Sequence, residues 1–307
     1  MRIAVLGAGA MGALFGGYLS LGNDVLLVDV NQALVEKINR DGVRIEEPDG
    51  TVQIRRPHAL TDTTGQAPVD LMIVFVKALY SRSALENNRG LIGPDTYLMT
   101  LQNGKGHEEK LLEFADRAHV IIGTTQHNSA VGELGTVRHG GSGMTYVGCL
   151  EGDVKRIHPV TDVFNSCGLM ATCSDNVQKL IWDKLFTNVS ASVLTAVLQV
   201  PLGYITENPD AWSLCRQLVH EAVQVANQEG MRFNEEEKLC EVRAVCENSS
   251  LGITSIFADV RAGRRTEVDT ISGSVVHAGK SVGVPVPTHE AMVHLIHALE
   301  KRKTKDI

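Results

Sequence analysis

Lys184, Asn188 and Ser192 interrupt a stretch, "IWDKLFTNVSAS", that is otherwise apolar enough for a protein core. Wound as an α-helix, residues spaced by four share one face. Ionised lysine is almost never buried without a partner, so this stripe either reaches solvent or lines a site. A fixed ammonium in a site has a plain chemical use. Reduction of a ketone creates an alkoxide-like oxygen, which the ammonium stabilises and then protonates.

A second pattern carries the other half of such a reaction. Gly7, Gly9 and Gly12, with Ala8, Ala10 and Met11 between them, form G-x-G-x-x-G directly after the apolar run "RIAVL". Following a strand and opening a helix, the three glycines make a tight turn, admit a pyrophosphate to the backbone and let helix close on strand. The helix N-terminus then offers free N–H groups and a positive dipole end to the phosphates. About 20 residues on, where the fingerprint places an acidic residue for the adenosine ribose, "DVLLVD" ends in Asp29. A carboxylate there repels the 2′-phosphate of NADP, and no Arg or Lys lies between residues 29 and 35, so the residues favour NAD(H). The plainer reading of Asp29 is a strand-end residue that caps the next turn.

Lys184 needs a counter-charge, and "TSIFADVRAGRRTEVD" offers candidates. Thr254 or Ser255 is suited to cap a helix carrying Asp259, with Gly263 as its stop. "RRTEVD" is expected to open the next helix, with Thr266 as cap and Glu267 and Asp269 in its first turn, where negative charge is favoured. Glu267 facing Lys184 would satisfy both charges. His107, His127 and His139 sit in polar loops without a partner pattern and are left out of the site.

The elements that must hold these residues fall into two textures. "RIAVLG", "DVLLVD", "DLMIVFVK", "TYLMTLQNG", "HVIIGTT" and "TYVGCLEG" alternate with helix-like stretches, and "VRIEEPDGTVQIR" forms a hairpin around Asp49-Gly50. Fully apolar runs such as "DLMIVFVK" suit central parallel strands covered on both faces. The alternation predicts an α/β fold, a Rossmann-type doubly wound sheet over residues 1–172. From 173 to 307 nearly every segment has helical period, which predicts an all-helical second domain ending in a solvated tail, "EKRKTKDI". Its long helices could pair across a two-fold axis as a homodimer.

The 307 residues are enough for about two domains, and 43% apolar with 21% charged residues describes a globular chain with a real core. A net charge of -7 gives no reason to expect a nucleic-acid partner. No apolar run reaches the roughly 18 residues of a membrane span. Six scattered cysteines without CxxC pairs point to a reduced, cytoplasmic setting, with neither a disulfide framework nor a metal site.

With these residues in place, the chain resembles the ketopantoate reductase (2-dehydropantoate 2-reductase) family. The resemblance rests on the glycine motif, "VKA" at 76–78, "LQNG" at 101–104, "IWDKLFTN", and the Thr, Ser, Asp, Gly, Arg, Thr, Glu and Asp pattern from Thr254 to Gly273. It implies NAD(P)H-dependent reduction of ketopantoate to D-pantoate in pantothenate biosynthesis, with Lys184 as general acid and Glu267 as its partner. It further implies that Ser255 binds the substrate carboxylate, that Asn103 and Asn188 hydrogen-bond the substrate, and that Lys77 and Asn103 lie by the cofactor. Ser192 stands where the family usually has a second asparagine. Family members mostly use NADPH and carry an arginine where this chain has Asp29. NAD-dependent D-2-hydroxyacid dehydrogenases acting on branched or aromatic 2-oxo acids resemble the family too and are the alternative. A cofactor-sensing regulator without chemistry would lack the Lys184–Glu267 pair.

Overall fold

The computed structural model describes residues 1–302, and the end of the tail, 303–307, lies outside the described residues. The chain divides into two compact units: residues 1–102 with 107–180, and residues 103–106 with the chain from 181 onward.

Short apolar runs build the first unit. Its opening elements are β1 (Arg2–Leu6), α1 (Ala10–Leu19), β2 (Asp24–Val28), α2 (Gln32–Asp41), β3 (Val43–Glu46) and β4 (Val52–Arg55). Then come β5 (His58–Leu60), β6 (Leu71–Val74), α3 (Ser81–Asn87), β7 (Tyr97–Thr100), α4 (Glu108–Leu111) and β8 (Val120–Thr125). The last are β9 (Asn128–Val131), β10 (Thr136–Gly141), β11 (Thr145–Cys149), α5 (His158–Ser166) and β12 (Ala171–Cys173). Eight strands form one sheet in the order β12-β11-β8-β7-β6-β1-β2-β5. From β1 the chain winds outward to β2 and β5, then returns to β6 on the other side of β1 and winds away through β7 and β8. Ligands bind outside the carboxyl ends of strands at such a reversal.

One strand departs from the expected pattern. "TYVGCLEG" becomes β11 but runs antiparallel to β8. A parallel neighbour needs a crossover that carries the chain back across the sheet, usually by a helix. Here no helix separates β8 from β11; the intervening residues make β9 and β10 instead. These two strands join the hairpin β3–β4 in a second sheet ordered β4-β3-β10-β9.

Helix α1, "AMGALFGGYL", has no charged residue and is buried along nearly its whole length, as a helix apolar all round must be. A Cβ on Gly16 would meet Leu27 of β2 at 3.2 Å, and one on Gly17 would meet Ile45 of β3 at 3.0 Å. The helix therefore packs on the large sheet with one side and on the small sheet with the next.

A polar cluster lies beside it. Tyr18 donates to Glu47 at 2.6 Å, and His139 Nδ1 lies 2.7 Å from the other Glu47 oxygen. His139 Nε2 lies 3.2 Å from His127 Nδ1, so the two rings share one hydrogen bond. His127 Nε2 is buried without a hydrogen-bond partner. Desolvation lowers the His127 pKa to about 4. The two histidines thus have a partner pattern after all, supplied by a carboxylate about 90 residues earlier in the chain.

Helix α6 (Val177–Thr187) contains the division between the units. After it follow α7 (Val193–Leu198), α8 (Leu202–Glu207), α9 (Pro209–Gln228), α10 (Glu235–Asn248), α11 (Ser255–Arg261), α12 (Ser272–Val282) and α13 (Pro287–Glu300). Trp182, Phe186, Cys215, Leu218, Ala222, Val275 and Ile296 are among the residues of the common core. Glu221 on α9 is only 5% exposed, and its carboxylate accepts the backbone N–H groups of Thr288 and His289, capping α13. His289 donates to the Leu218 carbonyl, and burial lowers its pKa to about 4. All six cysteines are free thiols. No helix among the described residues is long and apolar enough to cross a membrane.

His127 and His289 hold depressed pKa values in the fold, near 4, against about 6.5 unfolded. Between those values the unfolded chain binds more protons, so stability falls as pH drops from about 6.5 toward 4. The melting temperature is expected to decrease from pH 7 to pH 5, with a smaller decrease in His127→Asn. A melting temperature that is level over this range would contradict the assignment.

Candidate active site

In the first unit the glycine loop leaves the carboxyl end of β1. Gly7 has φ +96°, and a Cβ there would sit 2.9 Å from the Val76 nitrogen. Gly12 is tighter still, since its Cβ would lie 1.8 Å from the Gly7 carbonyl oxygen. Around Gly9 nothing lies within 4 Å of an added Cβ. Gly9 is also the N-cap of α1 and gives it no side-chain cap. Turn, open approach and close packing therefore fall on the three glycines in the order that a dinucleotide pyrophosphate needs, with unsatisfied amides at the helix start. Ala8 is buried, while Ala10 and Met11 are half-buried. The residues present fit an NAD(P) cofactor.

Asp29 directly follows β2 and is half-buried. Its Oδ2 accepts the Ala8 N–H at 2.8 Å, and its Oδ1 accepts the Asn31 N–H at 2.9 Å. The cap of α2 is Asn31, which accepts from Leu34. Asp29 is thus a brace for the glycine loop, and a carboxylate keeps further lone pairs for a ribose hydroxyl.

Lys77 is half-buried and precedes a short 3-10 turn, residues 78–80. That turn is held from two sides. The Gln102 amide donates to the Val76 carbonyl and to Ser81 Oγ, and Lys110 Nζ donates to the Ala78 carbonyl at 2.9 Å. Gln102 was not among the residues expected in the site, although "LQNG" contains it.

In the helical unit, α6 runs on through a π-helical turn, Asn188–Ser192, into α7. The wider turn winds in an extra residue, so the simple four-residue stripe holds from Lys184 to Asn188 and changes phase after it. Lys184 and Asn188 are half-buried, whereas Ser192 is buried, 7% exposed. Burial pushes the Lys184 ammonium down to about 8. An ammonium so poised can exchange its proton near neutral pH.

Thr254, not Ser255, caps α11, accepting from the Phe257 N–H. Ser255 is the first helical residue and is exposed. The helix ends in a Schellman motif: Gly263 donates to Val260 and Arg264 to Asp259. The expected helix at "RRTEVD" does not form. Thr266 Oγ1 accepts the Val268 N–H, and Thr270 and Ile271 donate to the Glu267 carbonyl, closing turns instead. Thr266 is further held by Glu300, and α12 starts only at Ser272. Glu267 is therefore a half-buried turn residue.

Asn103 belongs to the helical unit through its segment, residues 103–106. Lys105 N–H donates to the Thr270 carbonyl at 3.0 Å, and Thr270 Oγ1 donates to the Asn103 carbonyl. The fold thus brings Asn103 to the turn that carries Glu267. Lys184, Glu267 and Asn103 each have an interaction partner within the chain. The described residues hold no His, Cys, Asp and Glu group suited to a metal ion.

Comparison with known proteins extends these observations over the whole chain. Residues 3–152 match the family described as "Ketopantoate reductase PanE/ApbA", and residues 176–300 match its C-terminal counterpart. A 2-dehydropantoate 2-reductase of Halobacterium salinarum is 31% identical, covering 98% of this chain and 99% of the relative. One of Pyrococcus abyssi is 32% identical, covering 99% of this chain and all of the relative. Among solved structures, a D-mandelate dehydrogenase with NADH and anilino(oxo)acetate superimposes with a TM-score of 0.91 at 30% identity, covering 98% of both chains. A family ketopantoate reductase from Ralstonia eutropha JMP134 does so with 0.89 at 25% identity, again over 98% of both chains.

The tightest contact of the Asn103 segment is testable without any ligand. Gly104 has φ +102°, and a Cβ there would lie 2.0 Å from the Thr270 carbonyl oxygen. Gly104→Ala is expected to destabilise the fold by at least ~1–3 kcal/mol, measured by chemical denaturation. A neutral effect would show that the segment is free to move away.

Proposed function

Because the chain belongs to the ketopantoate reductase family of NAD(P)-dependent oxidoreductases, we propose that it reduces 2-dehydropantoate to D-pantoate, with Lys184 as general acid and NADH as the preferred reductant. The observation that carries this reading is Lys184, a half-buried ammonium whose pKa burial has brought to about 8, in a chain that the family matches over residues 3–152 and 176–300. NAD(P)H, when bound, supplies the hydride. The residues of this chain have the remaining tasks. Backbone amides at Gly9 to Gly12 and the start of α1 hold the pyrophosphate, and Asp29 takes the ribose hydroxyls. Asn103, Asn188, Ser192 and Ser255 orient the 2-oxo acid through its carboxylate and hydroxyl groups. Glu267 pairs with Lys184, and Lys184 gives its proton to the C2 oxygen as negative charge develops there.

The preference for NADH is supported by the Asp29 carboxylate and by the lack of Arg or Lys from 29 to 35. One observation favours a second reading. The solved relative with the 0.91 TM-score is a D-mandelate dehydrogenase bound to NADH, so an aromatic or branched 2-oxo acid is the alternative substrate.

Steady-state rates with 2-dehydropantoate, 2-oxoisovalerate and an aromatic 2-oxo acid, each with NADH and NADPH, separate these readings. 2-Dehydropantoate with NADH is expected to give the highest kcat/KM. Equal or better turnover of the simpler acids would end the first reading, and a strong preference for NADPH would end the role given to Asp29.

Lys184→Ala is expected to lower kcat by at least ~100-fold while NADH still binds. Because the acid works in its protonated form, the rate should be level below pH about 8 and decline above it. A near-native kcat in the variant, or a level profile from pH 7 to well above 8, would remove Lys184 from its role.

A further inference from the structure

Asn103 and Lys184 each have a near neighbour in the chain, Lys105 and Trp182, that has no part in the proposed reaction. Lys105 and Trp182 both end on one carboxylate. Glu229 Oε1 lies 2.7 Å from Lys105 Nζ, and Glu229 Oε2 accepts from Trp182 Nε1 at 3.0 Å. The Lys105 ammonium also stands over the Trp182 ring, 5.6 Å from its centroid. Trp182 is fully buried, and the Lys105 and Glu229 side chains are 18% and 19% exposed.

Glu229 stands at the C-terminal end of α9, the end whose partial charge disfavours a carboxylate. Its position is unfavourable for helix stability by itself, and the ammonium and the indole N–H offset that cost. The contacts are of the strong kind, a charge-assisted bond in a largely desolvated place with a cation over an aromatic face. What they join is informative. Residues two apart on a helix point to opposite sides, so Trp182 grips α6 from behind the face that presents Lys184. Lys105 is held in the segment that carries Asn103, and its backbone N–H is already fixed on Thr270 of the Glu267 turn.

We propose that Glu229 is a positioning residue: through Lys105 and Trp182 it locks the segment carrying Asn103 to the helix carrying Lys184, and so sets the spacing between substrate contact and proton donor. The proposal rests on the functional reading of Asn103 and Lys184. It predicts a specific kinetic signature, because misplacing a reacting group by an ångström lowers the rate without preventing cofactor binding.

The test is a set of variants assayed with 2-dehydropantoate and NADH: Glu229→Gln, Lys105→Met, the two combined, and Lys105→Arg. Glu229→Gln and Lys105→Met are each expected to lower kcat/KM by about 10- to 100-fold, with the dissociation constant for NADH unchanged. The combined variant should lose no more than the worse single one, since both break the same link. Lys105→Arg, which keeps the charge, should recover most of the loss. If the variants only lower the melting temperature while kcat and KM stay native, Glu229 is a stability residue and the proposal is overturned. Should Glu229→Gln not fold, Lys105→Met against Lys105→Arg decides the matter. Asn103→Ala and Lys184→Ala are run beside them. If these two are native, the functional reading itself has failed; if they are impaired while the Glu229 and Lys105 variants are native, only the positioning role has.

Discussion

Strand β1 and helix α1 meet at a point where neither can bear a side chain. The room between Gly12 and the Gly7 carbonyl is smaller than one methyl group. That closeness sets the start of α1, and the rest of the first unit follows from where α1 goes. Being apolar all round, it must be covered on more than one side, and the large sheet alone cannot do this. The hairpin β3–β4, extended by β9 and β10, supplies the second cover. The same short approach brings the Ala8 amide onto Asp29 and seats Gly7 against Val76, so the carboxyl ends of β1, β2 and β6 are tied into one rim.

The helical unit handles buried charge by three different means. Lys184 is desolvated until its affinity for its proton falls. Glu221 accepts the free amides at the start of α13. Glu229 is matched by an ammonium and an indole N–H. The first yields a group ready to change state, and the other two yield fixed points of the fold. A protonation-competent lysine is useful only where its surroundings do not shift with it.

Much of this was legible in the residues because it concerns backbone requirements that few side chains meet. The glycine loop, Asp29, the hairpin at Asp49-Gly50 and the Thr254 to Gly263 helix all have local signals, and the structure has each of them. The antiparallel sense of β11 was not legible, since an apolar run looks the same in either direction. The pattern at Thr266 to Asp269 misled because a threonine oxygen can close a turn as well as cap a helix, and here Glu300, 34 residues on, takes hold of Thr266 first. The π turn after Thr187 also left no mark in a sequence already suited to helix. Lys105, Trp182 and Glu229 could not be connected by reading, because 47 and 124 residues separate Glu229 from its partners. Spacing reveals neighbours one turn apart; it does not reveal side chains that tertiary packing alone brings together.

Residues 103–106 have a consequence for anyone who would take this protein apart. They count with the helical unit although the chain on both sides of them counts with the other. The helical half is therefore not a continuous stretch of gene. A fragment begun near residue 181 would omit Lys105 and Gly104, leaving the Glu229 carboxylate without its cation and the Thr270 carbonyl without its amide donor. Dissection, domain exchange or circular permutation that respects sequence order alone would cut through a unit of packing, and the four residues left behind include Asn103 itself.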